Sequence, residues 1–124
     1  MKTLVEEEDD KDLLRLTETI LRANGHRVIK AVDASQVLPS AQREKPDLIL
    51  PDVNMPGGDG RDILQNLKRS ILTSGIQVIV ISGDSDPALR ESVTQAGAEG
   101  FLLKPWTLEN FIQDLRKLCP HLPW

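Results

Sequence analysis

Carboxylate side chains follow two separate apolar runs of this 124-residue chain. The acidic triplet Glu8-Asp9-Asp10 follows the first run, and Asp52 follows the third. Carboxylates that lie close together cannot all stay ionised without a cation, and a hard divalent ion with oxygen ligands relieves their repulsion. If the fold brings the two groups together, the residue types therefore indicate a magnesium site.

Donor groups follow the fourth and fifth apolar runs. Ser82 and Gly83 end the fourth run, and Lys104 follows the fifth. A hydroxyl, a glycine that permits close backbone approach and a fixed cation are typical of an anion site. A cation, an ammonium and a hydroxyl can neutralise and orient a phosphoryl group. A carboxylate at the centre is then a competent nucleophile, which makes Asp52 the candidate acceptor of an aspartyl phosphate.

Hydrophobic periodicity indicates the elements that must position these residues. Short apolar runs predict strands at 3–5, 28–32, 48–50, 76–81 and 101–103, and helical periodicity predicts helices at about 11–24, 35–44, 60–72, 87–96 and 107–118. Five βα units with right-handed crossovers predict a doubly wound α/β fold with a five-stranded parallel sheet and five helices. Ligands of such sheets bind outside the carboxyl ends of the strands, where the polar residues above are expected.

Local signals support these boundaries. Gly25 and Gly97 stand where a helix commonly ends on a left-handed residue. Asp86-Pro87 is an N-cap followed by a first-turn proline, and Thr107 can cap the last helix. One apolar stripe on the third predicted helix is expected to face the core, and its members are Ile63, Leu64, Leu67, Ile71 and Leu72.

Composition argues against several classes of protein. The formal charge is -4 with dispersed Lys and Arg, so direct nucleic-acid binding is not expected. No apolar run approaches the roughly 18 residues of a membrane span, and we expect a cytoplasmic protein without membrane contact. Cys119 has no disulfide partner and is expected to be an inert thiol. The two histidines, His26 and His121, lie outside the acidic cluster, which argues against zinc as the metal, and both are expected to be solvated surface residues.

Four segments resemble the motifs of response-regulator receiver domains, in order and spacing, across nearly the whole chain. They are EDD at 8–10, DVNMPG at 52–57, VISG at 80–83 and GAEGFLLKP at 97–105. The resemblance implies a flavodoxin-like sheet of strand order 2-1-3-4-5. It also implies a phosphoacceptor receiver domain of a two-component system over residues 1–119, with 120–124 a tail or the start of a linker. A histidine kinase or a phosphotransfer protein would supply the phosphoryl group.

The same resemblance assigns roles to individual residues. Asp52 is implied to be the phosphoacceptor, and Mg²⁺ is implied to be held by Glu8, Asp9, Asp52 and the backbone carbonyl of Asn54. Phosphoryl binding and switching are implied for Ser82, Gly83, Phe101 and Lys104, and the peptide bond to Pro105 is expected to be cis. The protein is thus expected to be a signalling switch that at most catalyses its own phosphorylation and dephosphorylation, rather than an enzyme.

The switch would act by changing the packing of a surface that a partner binds. Ser82 and Lys104 are expected to move toward the phosphoryl group, after which Phe101 turns inward and repacks the face made by the fourth helix, fifth strand and fifth helix. That face would be read by a partner, a second copy of the chain being one candidate, and the output domain is expected outside this chain. Trp106 lies beside the face, and ordinary packing is favoured for it over a role as partner anchor.

Three features depart from the family pattern. Glu6 and Glu7 occupy what should be the inner half of the first strand in this family, where buried unpaired carboxylates are costly, so we expect this strand to be shortened or displaced near Glu6. Pro51 precedes the acceptor in an interior strand and should remove one ladder hydrogen bond. Pro39 lies inside the second predicted helix, which should be kinked there or start late.

These departures keep other hypotheses open. A degenerate receiver, binding partners without phosphorylation, is the main alternative. A flavin carrier of similar layout would need a Gly- and Ser-rich loop where this chain has Glu8-Asp9-Asp10. A phosphatase with an aspartyl intermediate would need an acidic residue at Asn54.

Overall fold

The computed structural model describes residues 1–6, 11–31, 33–55 and 58–122. The strands are β1 (Lys2–Glu6), β2 (Arg27–Ala31), β3 (Leu48–Leu50), β4 (Asn54–Met55), β5 (Gly58–Asp59), β6 (Gln77–Ser82) and β7 (Gly100–Leu103). The helices are α1 (Lys11–Ala23), α2 (Ala34–Glu44), α3 (Gly60–Arg69), α4 (Pro87–Gln95) and α5 (Leu108–Leu118). None of the helices in these ranges is long and apolar enough to cross a bilayer.

The main sheet has five parallel strands in the order β2-β1-β3-β6-β7. These are the five predicted strands, so the predicted order 2-1-3-4-5 is confirmed. β4 and β5 form a separate antiparallel hairpin between β3 and α3, which the apolar pattern did not predict. Two residues in each strand are too few to show a period in the sequence.

Helices cover both faces of the sheet, as a doubly wound fold requires. In β6, Val78 and Val80 face a core shared with α2, α3 and α4, whereas Ile79 and Ile81 face a core shared with α1 and α5. Consecutive strand residues point to opposite faces, so one strand supplies both cores. This two-sided burial explains why β6 is apolar without a polar alternation.

The predicted helix ends at the two glycines are confirmed. Gly25 and Gly97 have φ of 85° and 110°, the left-handed conformation that glycine adopts without a steric penalty. Asp86 and Thr107 accept hydrogen bonds from Ala88 and Asn110, so both predicted N-caps are also present. Left-handed Lys45, which ends α2 with φ 49°, was not predicted because lysine carries no such signal.

The predicted extent of the third helix was wrong. α3 ends at Arg69, and Ile71 and Leu72 are 95% and 62% exposed, not core residues. The chain turns after the helix and buries Thr73, whose hydroxyl donates to the Leu67 carbonyl at 2.6 Å. The buried part of the stripe therefore stops at Leu67.

The prediction of a surface position was wrong for His26 and right for His121. His26 is 3% exposed, and its Nδ1 lies 2.6 Å from the Thr3 hydroxyl of β1. Directly after the Gly25 turn, the N–H of His26 donates to the Leu21 carbonyl of α1 at 3.0 Å, which holds the residue between α1 and β1. Burial, with a smaller contribution from the N-terminal ammonium, lowers the pKa of His26 below its usual 6.5.

The prediction for Pro51 is confirmed, whereas one of the two outcomes predicted for Pro39 is wrong. Pairing of β3 with β6 runs through Ile49, stops, and resumes in the same register at Asp52, so the ladder is interrupted at Pro51 as predicted. Helix α2 begins at Ala34 and contains Pro39, so a late start is wrong.

The predicted irregularity of the first strand is only partly visible. β1 stays paired with β2 through Glu6, whereas its pairing with β3 ends at Val5. A displacement on the β2 side is therefore absent. Glu7 lies outside the described residues, so the prediction about the two carboxylates stays a prediction.

Candidate functional site

The candidate site lies at the carboxyl ends of β3, β6 and β7. Asp52 follows β3 and is 9% exposed. The Pro51 carbonyl accepts a hydrogen bond from Ile81 at 2.9 Å, and Val53 donates to the Ile81 carbonyl at 3.1 Å. These two bonds hold the backbone of Asp52 against β6 although the residue lies beyond the regular end of β3.

Lys104 brings a positive charge to this carboxylate. Its ammonium donates a hydrogen bond to Oδ2 of Asp52, and its backbone N–H donates to the Ser82 carbonyl at 2.9 Å. The Lys104–Pro105 peptide bond is cis. Three predicted site residues that lie far apart in sequence, Asp52, Ser82 and Lys104, therefore meet at one edge of the sheet.

Ser82 is connected to the start of α4 by a series of short-range hydrogen bonds that sequence reasoning missed. Its buried hydroxyl accepts from the N–H of Asp84 at 2.9 Å, and Asp84 accepts from the N–H of Asp86 at 2.9 Å. Asp86 in turn accepts from Ala88 at 3.0 Å as the N-cap of α4. A rotation of the Ser82 hydroxyl away from Asp84 breaks the first of these three bonds.

Phe101 is already buried, with 7% of its surface exposed, in the core between the sheet and α2–α4. The guanidinium of Arg90 lies 5.8 Å from the centre of the ring, on the solvent side of α4. The ring of Phe101 therefore already lies inside, so the expected inward turn would not begin from an outward position in this structure. Arg90, which the sequence analysis did not select, covers the ring instead.

The α4–β7–α5 face, named for the three elements that form it, carries a groove of about 360 Å³. Arg90 and Phe101 line one part of the groove, and Asp114 and Lys117 of α5 line another. Leu103 of β7 also lines it and is 46% exposed, which is unusual for a leucine in the central sheet.

Trp106 is a packed residue, as the sequence analysis favoured. It is 9% exposed and stacks on Phe111 with ring centroids 4.8 Å apart and 18° between the planes. Its indole N–H donates to the Thr17 hydroxyl at 2.9 Å. No local signal could have identified this bond, because its partners are 89 residues apart.

The remaining predicted site residues are less informative. Glu8, Asp9 and Asp10 lie outside the described residues. Asn54 begins β4, where it pairs with Asp59. Gly83 is exposed, and a Cβ added to it would meet no atom within 4 Å.

Metal-ligating groups are sparse in the described part of the chain. Within it, no three His, Cys, Asp or Glu side chains cluster as a metal site would require. Cys119 is buried, and this burial, with a smaller contribution from the nearby Glu99 carboxylate, raises its thiol pKa to about 11, which disfavours the reactive thiolate. The donors that the site does offer are oxygen atoms.

Comparisons with known proteins agree with this geometry. The family described as response regulator receiver domain matches residues 5–116. The transcriptional regulatory protein PrrA of Mycobacterium tuberculosis is 34% identical over 111 residues, which are 90% of this chain and 47% of PrrA. The chain therefore spans about half the length of this curated relative.

Solved structures show the same fold. A CheY-like response regulator receiver domain protein of Methanospirillum hungatei superposes with a TM-score of 0.83 at 25% identity, over 96% of this chain and 94% of the other. The Mn²⁺-bound form of the response regulator Rcp1 superposes with a TM-score of 0.77 at 23% identity, over 98% and 94% of the two chains. The family match over most of the sequence, together with the five-stranded topology, leads to one conclusion: the chain belongs to the response regulator receiver domain family.

Proposed function

We propose that this receiver domain accepts a phosphoryl group on Asp52 and acts as a signalling switch. The observation that carries the proposal is the hydrogen bond from the Lys104 ammonium to the Asp52 carboxylate, at the sheet edge where Ser82 also lies. A nucleophile, a cation and a hydroxyl at the end of parallel strands suit transfer of a dianionic group.

The transfer would conserve atoms and charge in two steps. A carboxylate oxygen of Asp52 attacks the phosphorus of a phosphohistidine, an O–P bond forms and the P–N bond breaks, and the leaving imidazole takes up a proton. Later, water attacks the phosphorus, and the O–P bond breaks to give inorganic phosphate and the free carboxylate. Lys104 would neutralise charge on the phosphoryl oxygens during both steps.

The donor set suits a divalent cation, and we propose Mg²⁺. Asp52 and the backbone carbonyl of Asn54 would hold it, together with Glu8 and Asp9, which lie outside the described residues. Hard oxygen donors of this kind are those that Mg²⁺ prefers. The ion would lower the electrostatic cost of bringing a phosphoryl group to a carboxylate. The binding of Mn²⁺ by Rcp1, a neighbour in fold, supports the proposal.

The proposed partners follow from the same role. A histidine kinase or a phosphotransfer protein would supply the phosphoryl group in the cytoplasm. The α4–β7–α5 face would be read by a partner or by a second copy of the chain. An output domain outside this chain would respond, and the name of PrrA, a transcriptional regulator about twice as long as the matched region, supports this.

Intact mass spectrometry tests the proposal. Incubation with magnesium and acetyl phosphate should add the mass of one phosphoryl group, and Asp52→Asn should abolish the gain because an amide is a poor nucleophile. Asp62→Asn, at an exposed carboxylate of α3, is the matched control and should keep the gain. An unmodified wild-type mass would contradict the proposal and favour the interaction module that works without phosphorylation.

A further inference from the structure

We propose that Trp106 and Thr17 form a positioning pair that sets where the Lys104 ammonium stands against Asp52. The inference deepens the proposed function and rests on it for the phosphorylation rate. The position of Lys104 itself can be measured without any phosphoryl transfer, so the two ideas can fail separately.

The bond between the pair is buried and has a fixed direction. Thr17 and Trp106 are 3% and 9% exposed, and the indole N–H donates to Oγ1 of Thr17 at 2.9 Å. The Thr17 hydroxyl donates its own proton to the Leu13 carbonyl at 2.8 Å. Because that proton is committed to helix α1, a lone pair of the oxygen is available to the indole, and no rotation of the hydroxyl can exchange the two roles.

The pair holds one end of the segment that carries Lys104. At the other end, the Lys104 N–H donates to the Ser82 carbonyl of β6 at 2.9 Å. Between the two anchors stands only Pro105, whose ring fixes φ. The backbone from which the Lys104 side chain extends is thus held by β6 on one side and by α1 on the other.

Packing alone does not replace this hydrogen bond. Trp106 and Phe111 stack nearly parallel, at 18°, and aromatic pairs are favourable over a range of ring-centroid separations, about 4.5 to 7 Å, so stacking alone does not select one position. The hydrogen bond to Thr17 removes that freedom, since it weakens steeply when the donor angle bends. Stacking therefore buries the indole, and the bond selects one position for it.

α1 links the pair to the proposed metal site. The helix begins at Lys11, directly after the triplet Glu8-Asp9-Asp10, and Thr17 lies within its first two turns. The pair is therefore anchored on the helix that directly follows the proposed metal ligands Glu8 and Asp9 in sequence.

Four variants separate positioning from packing. Thr17→Val keeps the shape and removes the acceptor, Thr17→Ser keeps the acceptor, and Trp106→Phe keeps a ring without the N–H. Phe111→Leu is the control, because it weakens the stacked core and removes neither partner of the hydrogen bond. Each would be measured for its rate of phosphoryl gain from acetyl phosphate with magnesium, and for the NMR shift of the Lys104 side-chain nitrogen without a donor.

We expect Thr17→Val and Trp106→Phe to lower the maximal rate about tenfold, which is less than the roughly hundredfold loss that a 1 Å misplacement of a catalytic group can cause. In both variants the Lys104 nitrogen shift should move toward that of a solvated lysine. Thr17→Ser should restore the wild-type rate and shift, and Phe111→Leu should leave the Lys104 shift unchanged. Should Thr17→Val not fold, Trp106→Phe decides the same question.

Two results would overturn the inference. One is a wild-type Lys104 shift and rate in folded Thr17→Val and Trp106→Phe. The other is an equal loss of rate and shift in Phe111→Leu, which would make packing the cause. If even the wild-type chain takes up no phosphoryl group, the proposed function fails, and the Lys104 shift alone still decides for or against the positioning pair.

Discussion

Lys104 contacts the Asp52 carboxylate before any donor arrives. In the proposed transfer, a phosphodonor would approach a carboxylate whose charge is already partly balanced, which would lower the repulsion between the two anions. The Ser82 oxygen, by contrast, accepts a hydrogen bond from the N–H of Asp84, and a change of the Ser82 rotamer toward a phosphoryl oxygen would break that bond. At the scale of single residues, the Lys104 ammonium already contacts the carboxylate, whereas the Ser82 oxygen is bonded to the N–H of Asp84.

The buried His26 makes stability depend on pH. Its folded-state pKa lies below the usual 6.5, so the unfolded chain binds a proton more readily. The free energy of unfolding should therefore fall as the pH decreases below about 6.5, by at most about 1.4 kcal/mol per pH unit, until the folded state also takes up the proton.

Urea unfolding at several pH values between about 7.5 and 5 would measure this effect. His26→Gln should remove most of the dependence in this range, whereas the exposed control His121→Gln should retain it. An unchanged slope in His26→Gln would show that other groups cause the dependence.

At the scale of elements, α3 shows where periodicity stops being informative. The spacing of Ile71 and Leu72 continues the apolar stripe, yet the helix ends before them and Thr73 turns inward. A polar residue whose hydroxyl can satisfy a helix-end carbonyl competes with continued helix, because buried carbonyls need a partner.

Two alanine substitutions test this helix end. Leu67→Ala removes a fully buried side chain and should lower the free energy of unfolding by about 2–5 kcal/mol. Ile71→Ala removes a side chain that is 95% exposed and should change it by less than about 0.5 kcal/mol. Chemical denaturation compares the two, and a large loss in Ile71→Ala would place that residue in a core.

At the scale of the whole molecule, one sheet separates two apolar cores. Adjacent residues of β6 belong to different cores, as Val80 and Ile81 do. Loss of either core removes the cover from one face of every central strand, so the two cores should unfold together.

Leu64→Ala tests this cooperativity. Leu64 lies in the core on the α2–α4 side, whereas Trp106 reports from the α1–α5 side. In a Trp124→Phe background, where Trp106 is the remaining tryptophan, the variant should shift the urea midpoints of fluorescence and far-UV circular dichroism equally. Different midpoints would show that the two sides unfold independently.

Much of the fold could be predicted from local patterns. The strands, the glycine helix ends and the caps at Asp86 and Thr107 follow from short-range rules of backbone conformation and from side-chain periodicity. The strand order was predicted from the resemblance to receiver domains. The motif around Asp52 likewise identified the candidate acceptor, because each motif is contiguous in sequence.

Contacts between distant segments were decided only by the tertiary structure. The burial of His26 under Thr3, the bond from Trp106 to Thr17 and the cover of Phe101 by Arg90 each join separate elements. Periodicity shows which face of an element is apolar, but it does not show which residue of a neighbouring element stands opposite a given polar atom. That choice depends on the packing of helices on the sheet, since a buried donor or acceptor binds whichever partner the packing brings within reach.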